Sequence, residues 1–371
     1  MREPLRIDRR QALGWLGAAG AAAFLPGTGL AATAGDPDLY AAAAKLPDGR
    51  FAALVLDGAG LVRRELALPD RGHDFAHHAP TGLTVAFARR PGTFALAFRP
   101  MGAGEPTLFA APADRHFYGH GAFSADGRLL YATENAFDDG GRGTIGIYEV
   151  ESGFRRVGEH PAGGIGPHET LLLEDGRTLA IANGGILTHP DFPRAKLNPD
   201  TMRPNLAYLD TVTGRIVETR ELSRHLARLS IRHMTASAGE TLWFGCQWEG
   251  DAGDEVALVG RHRRGRDLEL LGAPATVWRG FRNYVGSVAT GADGRLVATS
   301  SPRGGTITLW DAASGNALHQ LAWADASGVA GAPTGILASD GGGQAGVATT
   351  EGRTILARTD RRFDNHLRQL A

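Results

Sequence analysis

Short apolar runs alternate with tight polar turns along almost the whole chain. The repeating unit is a histidine, an apolar run, a glycine-containing turn and a second apolar run, and it is clearest over residues 120–135 and 168–183. Further copies run over residues 232–245 and 283–300. An Asp-Gly or related pair between two apolar runs indicates a β-hairpin, because the tight turn needs residues that tolerate positive φ. The pattern therefore predicts many short antiparallel strands.

A hairpin unit that recurs every 40–50 residues or so is typical of a β-propeller. Seven units are present, but the first, from residue 39 to 68, has only three apolar runs. Residues 364–370 have the pattern of an opening strand. We therefore predict an all-β, seven-bladed propeller, closed by the C-terminal strand pairing into the first blade, which hides two sheet edges. A non-propeller fold such as two β-sandwiches is the alternative, and the periodicity does not support long helices.

The composition agrees with this fold and narrows the function. The chain has 371 residues, of which 52 are glycine and few are aromatic, as expected for many strands and tight turns. Its 39 Lys and Arg residues nearly balance 40 Asp and Glu residues, and no long charge run indicates a nucleic-acid partner. The single cysteine rules out an internal disulfide framework.

The N-terminus has the features of an export signal. Arg9 and Arg10 precede an apolar stretch over residues 12–25, and the small residues 32–34 offer a cleavage site. The stretch is too short and too weakly apolar for a stable membrane span. Residues 8–13 resemble the twin-arginine signal, with a chance arginine pair before a general secretory signal as the alternative. We therefore expect a signal peptide over residues 1–34, a propeller over residues 35–371, a periplasmic location and no membrane span after cleavage.

Polar residues converge on one face of the predicted propeller. The inner strand of each blade lines the central channel, and the loop entering that strand lies on the same face as the loop between the second and third strands. A histidine stands near the start of five inner strands, and the sixth unit has an asparagine: His73, His120, His168, His233, His366 and Asn283. The seventh unit has Ala332-Pro333 and no ligand-type side chain. The second loop set adds Arg89, Arg90, Glu134, Asn135, Asn183, Cys246, Gln247, Glu249, Ser301 and Arg303.

Imidazoles from several blades could bind a transition metal, a haem or an anionic ligand. The candidate metal ligands are His120, His168 and His233, and Glu169 and His189 complete the candidate ligand-binding set. The alternative is that each histidine is a structural hydrogen-bond partner within its own blade. His77, His78 and His116 are expected to be ordinary loop residues, and His262 and His319 are expected to be surface groups on outer strands.

The remaining candidates for chemistry are weaker. Cys246 could be a soft metal ligand or a reactive thiol, but a lone cysteine is more often buried and inert. Glu134 and Glu249 could form a general acid/base pair, although no spacing fixes their separation. A nucleophile elbow, a zinc-protease motif and a Cys-x-x-Cys-His motif are all missing from the sequence, so covalent haem is not expected. The long insertion over residues 183–205 is of a length that is usually functional or mobile.

Several phrases of the sequence carry a family resemblance. They include residues 117–121 (FYGHG), 166–169 (GPHE), 182–185 (ANGG), 188–192 (THPDF), 196–198 (KLN), 200–204 (DTMRP), 282–286 (RNYVG), 298–304 (ATSSPRG) and 364–367 (DNHL). In these phrases the chain resembles an uncharacterised family, domain of unknown function fifteen-thirteen. The resemblance implies twin-arginine export, a seven-bladed propeller, and genes beside imelysin-type periplasmic proteins and dihaem-like oxidoreductases in iron-regulated clusters. It implies a role in periplasmic iron acquisition but no established activity.

Three hypotheses for the function follow. The first is a periplasmic binding protein associated with iron acquisition, which holds a metal, haem, iron chelate or imelysin-like partner protein at the channel mouth. The second is a metal-dependent enzyme, either a lactonase-like hydrolase or an oxidoreductase, which needs an open metal position and an acid/base group such as Glu134 or Glu169. The third is a protein-interaction scaffold. Iron and non-covalent haem are the candidate cofactors.

Overall fold

The computed structural model describes residues 38–102, 104–192 and 195–370. The segment interpreted as a signal peptide, residues 1–34, lies outside these ranges. The strands up to residue 221 are β1 (Leu39–Lys45), β2 (Phe51–Asp57), β3 (Val62–Leu68), β4 (Gly72–His78), β5 (Leu83–Ala88), β6 (Phe94–Phe98), β7 (Thr107–Ala110), β8 (His116–Phe123), β9 (Leu129–Ala136), β10 (Arg142–Glu149), β11 (Arg155–Ile165), β12 (Pro167–Leu172), β13 (Thr178–Asn183), β14 (Asn205–Asp210) and β15 (Arg215–Glu221). The later strands are β16 (Leu229–Ser237), β17 (Thr241–Trp248), β18 (Val259–His262), β19 (Glu269–Leu270), β20 (Ser287–Thr290), β21 (Leu296–Ser301), β22 (Thr306–Asp311), β23 (Ala317–Ala322), β24 (Ala326–Ala332), β25 (Gly335–Asp340), β26 (Gln344–Thr349), β27 (Gly352–Arg358) and β28 (Arg362–Gln369).

Helices are short and few in the described ranges. One α-helix, α1, spans Ala275–Phe281 and stands before the sixth blade. Three single-turn 3-10 helices span Ala79–Thr81, Pro199–Thr201 and Arg224–Leu226. None of the helices in residues 38–102, 104–192 and 195–370 has the length and apolar character needed to cross a membrane.

The strands form seven antiparallel sheets of four strands each within the described residues. Six sheets use four consecutive strands, beginning with β4–β7 and ending with β24–β27. The remaining sheet has the order β28-β1-β2-β3, so the last strand of the chain joins the first three. The prediction of a seven-bladed propeller closed by the C-terminal strand is therefore confirmed.

The closing strand is held by both backbone pairing and apolar packing. Tyr40 of β1 lies opposite Gln369 of β28, and Ala42 lies opposite Leu367. Phe363 and Leu367 are buried against the apolar cluster that joins the first and seventh blades. The alanine-rich strand β1 is almost wholly buried, because it lies between β28 and β2 and is covered on both faces.

The cores lie between neighbouring blades. The largest apolar cluster joins the fourth, fifth and sixth blades, and within it the fully buried Trp243 and Trp310 have ring centroids 6.5 Å apart. Trp278 of α1 stacks on Trp310 with centroids 5.6 Å apart and is buried in the same cluster. These cores fix each blade relative to the next and thereby fix the inner strands that line the channel.

The seventh blade differs from what the sequence predicts. Its inner strand is β24, so Ala332-Pro333 lies at the end of that strand and not at its start. The sequence pattern gave the wrong position for this inner strand because β24 is a run of small residues without a histidine. At Gly328 a Cβ atom would lie 2.5 Å from the backbone nitrogen of Leu367. The glycine lets β24 approach β28 closely, so this blade presents no side chain at that point.

Candidate metal centre in the channel

Five buried histidine side chains meet in the central channel. Each comes from the inner strand of a different blade: His73 from β4, His120 from β8, His168 from β12, His233 from β16 and His366 from β28. All five are at most 7% exposed. Ring centroids lie 4.6 Å apart for His73 and His366, and the eight close pairs among the five rings span distances up to 5.9 Å. We call this set the histidine cluster.

Irregular strand pairing aims these side chains into the channel. The register shifts between Gly72 and Phe75 in β4, which contains His73, and between Phe117 and Gly121 in β8, which contains His120. Similar shifts lie at or beside the other three members of the histidine cluster. A β-bulge re-aims a side chain and locally interrupts the strand ladder. The bulges therefore turn five side chains towards one point.

The histidine cluster carries buried nitrogen atoms without partners. In the part of the chain that the structure describes, one ring nitrogen of each cluster histidine has no hydrogen-bond partner: Nδ1 of His73, Nε2 of His120, Nδ1 of His168, Nδ1 of His233 and Nε2 of His366. Nδ1 of His233 lies 3.5 Å from Oε2 of Glu169, which is longer than an ordinary hydrogen bond. Leaving a buried polar group unpaired costs about 1–3 kcal/mol, so five such groups in one place need an explanation.

Two carboxylates and one arginine lie next to the histidine cluster. Oδ2 of Asp74 accepts a hydrogen bond from Nδ1 of His120 at 2.9 Å. Arg368 donates to Asp74, and its Nη2 lies 3.5 Å from Oε1 of Glu169. Because Nδ1 of His120 carries the proton shared with Asp74, Nε2 is left as a free acceptor. A carboxylate that fixes the imidazole tautomer in this way is the usual outer partner of a metal-binding histidine.

Burial favours the neutral form of four imidazoles of the histidine cluster. Burial, together with the neighbouring cationic groups, lowers the pKa of His73 and His168 well below the ordinary value of 6.5. Burial likewise lowers the pKa of His366 well below that value, although Asp74 acts in the opposite sense. Burial also lowers the pKa of His233. Neutral imidazole is the form that binds metal ions, so these groups need no deprotonation before binding at neutral pH.

Asp74 stays ionised in spite of its burial. Burial alone would raise the pKa of its carboxyl group, but Arg368, His366 and His120 together hold that pKa well below the ordinary value of 3.8. The same carboxylate raises the pKa of the Arg368 guanidinium against the effect of burial. The pair therefore places one negative and one positive charge directly beside the histidine cluster.

Among the residues that the structure describes, three groups of side chains have ligand atoms within 4.8 Å of one another. They are His73, His120 and His168; then His120, His233 and His366; and finally Asp74, His120 and Glu169. His120 belongs to all three groups and so lies at their centre. Imidazole nitrogen suits Zn, Cu, Fe and Ni, whereas Mg and Ca prefer oxygen ligands. The unpartnered nitrogens and the donor set fit a transition-metal ion held mainly by histidine.

Other predicted site residues lie away from the histidine cluster and have structural partners. Glu134 accepts a hydrogen bond from Tyr148 at 2.6 Å and pairs with Arg156 at 2.8 Å, fully buried in the third blade. Asn135 donates to the carbonyl oxygen of Thr188 at 3.0 Å. Asn183 donates to the carbonyl oxygen of Ala162 at 2.8 Å. These groups tie the loops of the third and fourth blades together.

The predicted residues of the fifth and sixth blades are also occupied by local contacts. Cys246 lies in the largest apolar cluster, and burial raises the pKa of its thiol, which makes it unreactive. Gln247 donates to the carbonyl oxygen of Val285 at 3.2 Å, and Asn283 donates to that of Ala252 at 3.2 Å. In the insertion, Nδ1 of His189 lies 3.7 Å from a carboxylate oxygen of Asp191.

Basic side chains gather at the end of the channel where the inner strands begin, which we call the mouth. Arg89 pairs with Asp364 at 3.1 Å, and Glu249 pairs with Lys196 of the insertion. Arg232 is buried, and its Nη2 lies 3.7 Å from Oε1 of Glu249. These residues either precede the histidines along the inner strands or lie in loops at the same end of the channel. Asp74, Glu169 and Arg368 instead follow the histidines along their strands.

Two further cations complete the mouth. The Arg303 guanidinium lies 4.5 Å above the ring centroid of Tyr284. Arg90 lies close enough to Tyr118, Glu249 and Tyr284 for their charges to affect it, and burial lowers the pKa of its guanidinium. Burial, and then the charge of Arg90, lower the pKa of Arg232 to about 10.

Sequence reasoning missed several residues that the structure brings to the channel. Asp74, Arg232 and Arg368 stand one or two positions from a cluster histidine, and that adjacency is the signal that could have found them. His77 and His78 lie within β4, and His116 lies buried within β8, so the expectation that these three are loop residues is wrong. His262 is also buried, and its Nδ1 lies 2.5 Å from the hydroxyl of Tyr208. The expectation of a surface group is therefore wrong.

Comparison with known proteins extends this description. A family model described as "Protein of unknown function (DUF1513)" matches residues 66–370. Among solved structures, a chain of hydrazine synthase from Kuenenia stuttgartiensis is 14% identical with a TM-score of 0.57, and the match covers 91% of this chain and 99% of that chain. A chain of a mitotic checkpoint complex is 12% identical with a TM-score of 0.56, and the match covers 91% of this chain and 88% of that chain. At such identities these similarities show the fold alone. A search of curated proteins found no match.

Proposed function

The chain belongs to the DUF1513 family, whose function is unknown, and we propose that it is a binding protein for a transition-metal ion, held by the histidine cluster. One observation carries this proposal. Five buried imidazoles from five blades each present a nitrogen without a partner to the same small volume. A purely structural set would pair those nitrogens within each blade, since unpaired buried groups are costly.

The donor set and its spacing favour a single ion over a larger ligand. Rings whose centroids lie 4.6–5.9 Å apart leave no slot among them for a planar macrocycle such as haem. Ligand atoms within 4.8 Å need only small ring movements to reach a common ion, because trans ligands at bonds of 2.0–2.1 Å are about 4 Å apart. His120, supported by Asp74, would be the central ligand.

We propose iron as the ion and the periplasm as the location. Nitrogen donors with two carboxylates beside them suit Fe(II), although they also suit Zn, Cu and Ni. The twin-arginine-like segment and the iron-regulated neighbours that the family resemblance implies support both parts of this proposal. Imelysin-like periplasmic proteins are the proposed partners.

The test is metal binding by the purified protein. Fe(II) is titrated anaerobically and the bound metal is measured by elemental analysis, with Zn(II) and Cu(II) in parallel. We expect one ion per chain. In the double variant His120→Ala/His168→Ala, affinity should fall by more than about 100-fold, because even an outer-shell change costs 10–100-fold.

The control keeps the number of removed histidines constant. His225→Ala/His319→Ala removes two exposed histidines outside the histidine cluster and should bind like the wild type. Circular dichroism checks that each variant is folded. Stoichiometric binding that survives the loss of His120 and His168 would overturn the assignment of the site to the histidine cluster. No binding of any of the three metals by the wild type would overturn the proposal and favour an interaction scaffold.

A further inference from the structure

The mouth carries more positive than negative side chains. Five basic groups lie there, namely Arg89, Arg90, Lys196, Arg232 and Arg303, and two acidic groups partner them, namely Asp364 and Glu249. Asp364 is further bonded by Arg71. A cleft lined by one sign of charge attracts ligands of the opposite sign and repels those of the same sign. The mouth therefore opposes a bare divalent cation that approaches the histidine cluster from this side.

Arg90 and Arg303 are the groups that point to a ligand. Across residues 38–102, 104–192 and 195–370, neither makes a side-chain hydrogen bond or an ion pair within 4.0 Å with another group, although Arg303 lies on the face of Tyr284. Arg90 is largely enclosed and sits near the buried guanidinium of Arg232. Two enclosed guanidiniums close to each other without an anion between them are unfavourable. An arginine fork matches the oxygen pairs of carboxylate and phosphate groups.

Tyr284 and Tyr118 shape this part of the mouth. Tyr118 is buried, and its hydroxyl lies 3.4 Å from Oγ1 of Thr188. The hydroxyl of Tyr284 lies 3.4 Å from Nδ2 of Asn365, which directly precedes the cluster histidine His366. Phenol and amide groups donate hydrogen bonds to oxyanions. The mouth thus presents cationic and neutral donors immediately before the histidine cluster.

We propose that the mouth binds a small oxyanion that is also a ligand of the metal, so that this chain takes its metal as an anionic chelate of the polycarboxylate class. The inference rests on the proposed function, because the metal end of such a chelate would be held by the histidine cluster. The carboxylate groups would be held by Arg90, Arg303 and Arg232. An ion held by three of these imidazoles would have positions left for carboxylate oxygens of the chelate.

The experiment uses the full-length protein loaded with Co(II), whose visible absorption reports its ligands. Citrate is titrated as the polycarboxylate, phosphate as the other oxyanion, and bound Co(II) is measured after each titration. We expect citrate to change the Co(II) spectrum at saturable concentrations while the ion stays on the protein. Arg90→Gln and Arg303→Gln should each weaken citrate binding about tenfold or more and leave Co(II) content unchanged.

Arg295→Gln is the matched control. It removes one exposed arginine from the turn that follows the inner strand β20, at the opposite end of the channel from the mouth. It should leave citrate binding unchanged.

The outcomes separate this inference from the proposed function. Removal of Co(II) by citrate, an unchanged spectrum, or equal citrate affinity in Arg90→Gln and the wild type would overturn the chelate inference while metal binding stands. A response to phosphate but not to citrate would overturn the polycarboxylate class. If the protein holds no Co(II), calorimetry of citrate with the metal-free protein decides: binding lost in Arg90→Gln supports the oxyanion site, and no binding overturns it.

Discussion

Asp74 connects two features of the channel through one carboxylate. Its Oδ2 accepts a hydrogen bond from Nδ1 of His120 and receives a charge-assisted bond from Arg368. The first contact fixes which nitrogen of His120 is free, and the second neutralises a buried guanidinium. Replacing the carboxylate by an amide keeps the shape but removes the charge that holds both partners.

We predict that Asp74→Asn lowers metal affinity by about 10–100-fold, because the neutral amide is a weaker acceptor for Nδ1 of His120 than the carboxylate that orients the ring. Metal titration of the purified variant measures this change. Glu134→Gln is the control, since Glu134 is also a buried carboxylate paired with an arginine, Arg156, but it lies away from the histidine cluster. Equal losses of affinity in the two variants would show that the effect is one of general stability.

His116 makes the folding stability of the protein depend on pH, and a substitution of this residue isolates its contribution. Its Nδ1 donates to the carbonyl oxygen of Phe117, and Nε2 accepts from Nδ2 of Asn135, both at 2.9 Å. Burial lowers its pKa from 6.5 to about 4. The unfolded chain therefore binds this proton more readily, so the contribution is complete above pH 6.5 and is lost as the pH falls towards 4.

We predict that His116→Gln reduces the pH dependence of folding stability. Between pH 7 and pH 5 the wild type should lose about 2 kcal/mol through this residue alone, and the variant should not lose that part. Urea denaturation at the two pH values measures the difference. His319→Gln, which changes an exposed histidine, should keep the wild-type dependence. A variant as acid-sensitive as the wild type would contradict this account.

At the scale of the strand, the sequence predicts the hairpins but not the β-bulges that redirect side chains. The Asp-Gly turns and apolar runs predict the hairpins, because both signals are local. The bulge between Gly72 and Phe75 turns both His73 and Asp74, and simple alternation would have placed neighbouring residues on opposite faces. Glu134 and Asn183, which the loop pattern placed at the mouth, are instead held by other contacts: Glu134 is bonded within the third blade, and Asn183 is bonded across to Ala162 of the third blade. Convergence of the histidines was predictable, whereas their outer partners depend on distortions that no local pattern reveals.

The closing strand β28 is held in the ring partly by the buried side chain of Leu367. Leu367→Ala should lower the free energy of unfolding by about 2–5 kcal/mol, because Leu367 is buried between the first and seventh blades. Leu356→Ala in the neighbouring blade is the control and should change it by less than about 0.5 kcal/mol, because Leu356 is 43% exposed. Urea denaturation of both variants measures the two values. Similar losses would mean that β28 contributes no special stability to the ring.

For the whole molecule, the histidine cluster couples distant parts of the ring. Its five histidines come from five of the seven blades, and each blade otherwise contacts chiefly its two neighbours. An ion held by histidines of several blades would act as a cross-link at the centre. Binding to the folded state alone stabilises it by an amount set by the ratio of free ligand to dissociation constant.

We therefore predict that metal binding raises the thermal midpoint of the whole propeller as one transition. With free metal at 100 times the dissociation constant, the gain should be about 2.7 kcal/mol. Differential scanning calorimetry with and without Zn(II) measures it. The gain should vanish in His120→Ala/His168→Ala and persist in His225→Ala/His319→Ala. A metal-dependent shift of only part of the unfolding transition would contradict a central cross-link.

The place of His366 on the last strand has a consequence for the timing of synthesis. A ribosome releases the other four cluster histidines long before it releases β28, so a nascent chain holds only an incomplete set of ligands. The histidine cluster is completed only when β28 joins the first blade and the ring closes. If the chain folds before it leaves the cytoplasm, as the proposed export route requires, the first ion that it binds comes from the metals available in the cytoplasm. The order of the strands would then make the compartment of folding a determinant of the metal that is acquired.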